Sequence, residues 1–121
     1  MDPSALQLSL AAVLHESARR WPEKVAAIEG ERQITYGALA ADVLAAAGEL
    51  ERLGVAPGDR VALLAPNTIG FVTAYYAILT RGAVVVPLAP MLVAAEIGHL
   101  LGDSGARLAL ADAAFAERIV A

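Results

Sequence analysis

Hydrophobic positions change period several times along this chain, and each change marks an element. Leu6, Leu10, Val13, Leu14 and Ala18 recur at helical spacing and predict a helix from Leu6 to Arg20, capped by Ser4 or Ser9. Trp21-Pro22 ends it, because a residue before proline is driven out of the α region. Val25 to Ile28 and Gln33 to Thr35 read as two short strands around the polar turn Glu29-Gly30-Glu31-Arg32, a hairpin. Thr35 then stands where an N-cap is needed. Behind it Leu39, Val43, Ala46, Ala47, Leu50 and Leu53 form one stripe of a helix from Tyr36 to about Leu53, closed by Gly54 as a left-handed cap.

After the turn Pro57-Gly58-Asp59, alternation disappears. Arg60 to Ala65 is apolar beyond its first residue, as a strand covered on both faces is. Pro66-Asn67-Thr68 breaks it, and Asn67 or Thr68 caps a helix from Thr68 to Thr80 whose inner face is Phe71, Tyr75, Ile78 and Leu79. Gly82 stops that helix, and Ala83 to Val86 is a second buried strand ended by Pro87. A helix from Leu92 to Asp103 ends near Gly105, a strand follows from Arg107 to Ala111, and Asp112 caps a last helix from Ala113 to Val120. Alternating helices and strands with short links predict an α/β fold: an N-terminal hairpin, then a parallel sheet with right-handed crossovers, layered αβα, as a single subdomain over residues 1–121.

Composition sharpens one point. Hydrophobic residues make up 58% of the 121 residues and the mean hydropathy is +0.59, above the range of soluble domains. The excess reads as surface that further polypeptide covers. Val61 to Thr80 carries no charge, yet Pro66, Asn67 and Gly70 interrupt it, so strand and helix explain it better than the roughly 20-residue apolar helix a membrane span needs. The formal charge of −4 gives no basic footprint for nucleic acid. With no cysteine, disulfides and thiolate metal sites are excluded, and a cytoplasmic location is expected. The preference for alanine, and for arginine over lysine, is of the kind a GC-rich bacterial genome imposes. The N-terminus is acidic and lacks the features of a secretory signal.

Candidate chemistry is sparse. Gly54, Gly58 and Gly82 fit neither G-x-G-x-x-G nor G-x-x-x-x-G-K and read as turn and cap glycines. His15 and His99 lack partners nearby in sequence and read as solvated or capping histidines. Tyr75 and Tyr76 read as aromatic packing, Asn67 as a cap at the carboxyl end of a strand, and Asp59 beside Arg60 as a turn with a local side-chain-to-backbone bond. No residue is assigned a catalytic, cofactor-binding or metal role.

The order of short motifs is nevertheless distinctive. Ile34-Thr35-Tyr36-Gly37-Ala38-Leu39 resembles the (L/I)-T-Y-x-x-L signature of adenylate-forming enzymes. Gly54-Val55-Ala56-Pro57-Gly58-Asp59-Arg60-Val61-Ala62-Leu63 is similar to their G-(V/I)-x-x-G-D-x-V-(A/G)-(L/I) strand entry, and Pro66-Asn67 stands where they commonly have P/L-N. Leu79 to Leu88 resembles L-x-A-G-A-x-x-V-P-L/I, and Asp103-Ser104-Gly105-Ala106-Arg107 resembles D-S-G-A-(R/K) of acyl-CoA ligases. Gly70, Arg81 and Ala89 depart from the family's usual residues, and the Val84-Val85-Val86-Pro87-Leu88 wording leans toward acyl-CoA synthetases such as the long-chain fatty-acid–CoA ligases.

The resemblance implies a parent ligase that uses ATP and Mg²⁺ to make an acyl-adenylate and passes the acyl group to coenzyme A. It also implies that the family's phosphate loop, ribose-binding aspartate, Mg²⁺-linked glutamate and lysine lie beyond this sequence. The expectation is an inactive N-terminal scaffold portion with no cofactor of its own, whose partner is the remainder of the parent. The alternative is a non-catalytic dimerisation or interaction module of flavodoxin-like fold, a homodimer through its exposed apolar surface.

Overall fold

A computed structural model describes residues 3–88 and 94–111, with side chains from Leu10 onward. Its elements run α1 (Pro3–Arg20), β1 (Val25–Glu29), β2 (Arg32–Thr35), α2 (Tyr36–Arg52), β3 (Arg60–Leu64), α3 (Ile69–Thr80), β4 (Val84–Pro87), α4 (Ala94–Ser104) and β5 (Leu108–Ala111). The expected helix from Ala113 to Val120 with its Asp112 cap, the side chain of Leu6, and the start of the helix at Leu92 lie outside what is described; α1 already begins at Pro3, so Ser4 and Ser9 fall within it and neither is the N-cap expected of them.

The expected α/β architecture is present. β1 and β2 form an antiparallel hairpin, and β4-β3-β5 form a parallel sheet with β3 in the middle. The hairpin loop is tighter than expected. Glu29 and Arg32 pair as strand residues, leaving Gly30-Glu31 as the loop, and Gly30 takes the positive φ of 60° that a two-residue loop of type II′ asks of its first residue.

Strand order explains the layers. The chain leaves β3 through α3 to reach β4 on one side, then returns through α4 to β5 on the other side of β3. Crossovers of one hand that travel in opposite directions must use opposite faces of the sheet. The packing agrees: Val61 and Leu63 point into a cluster with Leu14, Val43, Leu50 and Ile78, whereas Ala62 and Leu64 point the other way, toward Leu88 and Ile97. This is the αβα layering, and it buries Val61, Ala62, Leu63 and Leu64 to 2% exposure or less.

The two helices that feed the sheet end alike. At α2 the Gly54 amide donates to the Glu51 carbonyl and the Val55 amide to the Leu50 carbonyl; at α3 the Gly82 amide donates to Leu79 and the Ala83 amide to Ile78. Both are Schellman endings, with the accompanying contact between the residue after the glycine and the last buried turn. Gly54 takes a φ of 89°, and a Cβ there would meet an Arg107 guanidinium nitrogen at 2.8 Å. Arg81 ties the two endings together, its Nε and Nη2 donating to the Val55 carbonyl at 3.2 and 2.7 Å. That gives a structural role to a residue at which this sequence departs from the usual alanine of the enzymes it resembles.

Several expected core positions are corrected. Leu10 is 41% exposed, Val13 63% and Leu53 50%, because α1 buries Ala11 and Leu14 instead and the chain turns away at Gly54 before Leu53 is covered. Ala65 falls outside β3, and Pro87 falls inside β4, an edge strand where its missing N–H costs no ladder bond.

Candidate functional site

Open α/β sheets bind ligands outside the carboxyl ends of their strands. Here that edge is made by Ala65-Pro66-Asn67-Thr68 after β3, Leu88 after β4, and the end of β5. A depression of about 180 Å³ lies between the end of β5 and the first turns of α3, lined by residues that include Leu63, Ala65, Thr68, Phe71, Ala74 and Leu110. It is smaller than the roughly 300–1,000 Å³ of most ligand pockets, and its walls are mainly apolar. The one side-chain hydroxyl among these residues is engaged: Thr68 Oγ1 accepts from the Phe71 amide at 3.2 Å as the N-cap of α3. Thr68 is thus the cap between the two candidates, and Asn67 stands exposed beside it.

The first turn of α3 has a second partner that local sequence does not announce. A carboxylate oxygen of Glu29, at the end of β1, accepts from the Ile69 amide at 2.7 Å. Glu29 reads as part of a polar turn, and no local pattern points across 40 residues to a helix end; only the acidic character suited to that end was visible. Between the hairpin and α3 lies a further depression of about 230 Å³, bordered by Ala27, Ile28, Asn67 and Phe71. A wider open groove of about 470 Å³ runs between α2 and α3, with Arg32 and Asp42 on its rim and Ala46, Gly70 and Thr73 along it.

The remaining candidates are placed as follows. His15 Nε2 lies 3.1 Å from Thr80 Oγ1, so the half-buried His15 ties α1 to the end of α3 rather than standing solvated or capping. His99 pairs with Asp103 one turn along exposed α4, at 3.0 Å. Tyr75 and Tyr76 are half-buried in an aromatic run with Phe71, with centroids 6.0 and 6.1 Å apart. Asp59 accepts from the Ala56 amide at 2.8 Å, the local turn bond expected of it, and Arg60 donates to the Ser104 carbonyl at 2.7 Å.

Perturbed acids sit away from the strand ends. Hydrogen bonds from Arg19, then Arg20, hold the Glu16 carboxyl down at about 2, and Arg52 lowers that of Glu49. Both are exposed helix-surface pairs. Among the described residues no group of three or more His, Asp or Glu could hold a metal ion. The lining of the apolar depression includes no carboxylate for Mg²⁺ and no cation for a phosphate, so that lining does not fit Mg²⁺ or the phosphates of ATP or coenzyme A.

Comparison with known proteins decides what the ordered motifs mean. The family model described as "AMP-binding enzyme" matches residues 14–121. This chain belongs to the AMP-binding, adenylate-forming enzyme family. It is 39% identical over 112 residues to the salicyl-AMP ligase / salicyl-S-ArCP synthetase of Mycobacterium tuberculosis, and 38% identical over 104 residues to a feruloyl-CoA synthase of Amycolatopsis. Those alignments cover 88% and 86% of this chain but 20% and 21% of the relatives.

Among solved structures, the N-terminal domain of FACL13 from M. tuberculosis superposes with a TM-score of 0.85 at 35% identity, over 91% of this chain and 28% of that one. The Bacillus subtilis O-succinylbenzoate coenzyme A synthetase in complex with AMP gives 0.81 at 30%, over 87% and 28%. The adenylate-forming chain thus has the acyl-CoA synthetase-like fold, and it spans about a fifth of the length of the curated relatives named here. Among its described residues no helix is long and apolar enough to cross a membrane.

Proposed function

We propose that this AMP-binding-family chain is the N-terminal scaffold portion of an ATP-dependent acid–thiol ligase, and that it is catalytically inert by itself. The parent activates a carboxylate as the acyl-adenylate and transfers the acyl group to coenzyme A, in the cytoplasm of a bacterium. The observation that carries this reading is the carboxyl edge of the parallel sheet. Among the described residues it holds a small depression, whose walls are mainly apolar and whose one identified hydroxyl already caps a helix. Residues 1–121 are one α/β subdomain, with no catalytic, cofactor or metal residue assigned to it.

Support for a fatty-acyl substrate comes from the Val84 to Leu88 wording and from the long-chain-fatty-acid–CoA ligase FadD13, 40% identical over 78 residues. ATP–pyrophosphate exchange across a panel of fatty and aryl acids tests the proposal, run on this chain and on the protein of its complete reading frame. The expected result is no exchange by the chain alone. The longer protein exchanges best with fatty acids and forms a thioester when coenzyme A is added. Exchange by the 121 residues alone overturns the scaffold role, and a preference for aryl acids overturns the substrate class.

A further inference from the structure

We infer that Glu29 is a positioning residue for the carboxyl edge of the sheet, clamping the hairpin onto the first turn of α3. This rests on the reading that this edge walls the adenylate-forming site of the parent. The first amides of any helix lack partners within it and must find them elsewhere. In α3 two of them are satisfied from different directions: Phe71 by the local Thr68 hydroxyl at 3.2 Å, and Ile69 by the Glu29 carboxylate at 2.7 Å.

The local cap fixes only the helix against its own preceding turn. The Glu29 bond spans two elements 40 residues apart and sets where the hairpin stands relative to Asn67 and Thr68. A charged acceptor on a backbone donor at the positive end of a helix is among the stronger single hydrogen bonds. Its donor is well placed, since Ile69 is 3% exposed. Ile34, Ala26 and Ala27 pack the hairpin into the cluster that holds Ile69, but a depression of about 230 Å³ opens beside Ile28 and Asn67, where the polar contact adds the constraint that apolar packing leaves out.

The inference separates Glu29→Gln, which keeps an oxygen acceptor, from Glu29→Ala, which removes it. Amide hydrogen exchange at Ile69 is measured in the 121-residue chain, and kcat/KM for adenylate formation in the full-length ligase, corrected for folded fraction. Glu29→Ala is expected to speed exchange at Ile69 at least tenfold and lower kcat/KM about tenfold, whereas Glu29→Gln stays within threefold of wild type in both.

Should Glu29→Ala fail to fold, Glu29→Asp decides: its shorter side chain no longer reaches the Ile69 amide, so unchanged Ile69 protection and unchanged kcat/KM in a folded Asp variant overturn the clamp. The inference also falls if Glu29→Ala matches wild type in exchange and in kcat/KM. A wild-type full-length protein that makes no adenylate with any acid defeats the parent activity instead, and leaves the exchange result to judge the clamp.

Discussion

The two faces of the parallel sheet are unequal. Among the described residues, thirteen buried ones, drawn from α1, the hairpin, α2, α3, the strands and their links, form the cluster that includes Val61 and Leu63, whereas four form the one that includes Ala62 and Leu64. On the thick face three helices and a hairpin interlock. On the thin face α4 contributes Ile97 to the buried set, and Leu100 is 38% exposed. The same strand supplies both faces, so the difference lies in what covers them: among the described residues, α1, α2, α3 and the hairpin cover one face, and α4 with Leu88 covers the other.

Deleting side chains sharpens that contrast most. Ile78 and Ile97 are both fully buried, one on each face. Ile78→Ala is expected to cost about 4 kcal/mol and Ile97→Ala about 2, since the thin face relaxes into the space left. Urea denaturation gives both numbers, and equal losses would break the comparison. Next come the two arginines that close helix ends by long-range bonds to carbonyls. Arg81→Ala, which frees the buried Val55 carbonyl on the thick face, is expected to cost about 1.5 kcal/mol. Arg60→Ala, which frees the exposed Ser104 carbonyl under α4, costs about 0.5 by the same assay.

Much of this organisation is legible in the sequence because it is written locally. The Thr35 cap, the glycine endings at Gly54 and Gly82, and the apolar run Val61 to Leu64 of β3 each follow from neighbours within a few residues. What escapes is decided across distance. Leu10 and Val13 have helical spacing but stay exposed, because the path of α1 turns Ala11 and Leu14 inward instead. Glu29 and His15 are unremarkable until folding brings Ile69 and Thr80 within bonding range. At the strand ends the sequence assigns no catalytic, cofactor or metal residue, and the side chains named there follow from how β3, β5 and α3 converge.

Two further effects concern local helix-end and helix-surface contacts on the thick side. Thr35→Ala removes the bond from the Ala38 amide and is expected to cost about 1 kcal/mol, with faster amide exchange confined to the first turn of α2. A loss spread evenly over both faces would contradict the independence of the two clusters.

The smallest concerns Glu16. Its pKa falls from 4.5 to about 2 on folding, so the unfolded chain binds a proton first as pH drops. The stabilisation is therefore present above about pH 4.5 and lost as pH falls toward 2. Glu16→Gln is expected to flatten the pH dependence of the melting temperature in that window slightly, because solvent screens an exposed pair. A steep change would mean that the α1 surface is less exposed in solution than described.

The position of β3 has a consequence for vectorial synthesis. The central strand of the parallel sheet leaves the ribosome before either of its flanks, and β5 follows only after β4 and α4. During that interval one hydrogen-bonding edge of the strand has no ladder partner from this sheet, while the helices and hairpin translated earlier are available to shelter one of its faces. A nascent chain that has emerged as far as β4 but not yet β5 keeps that edge open to adventitious pairing.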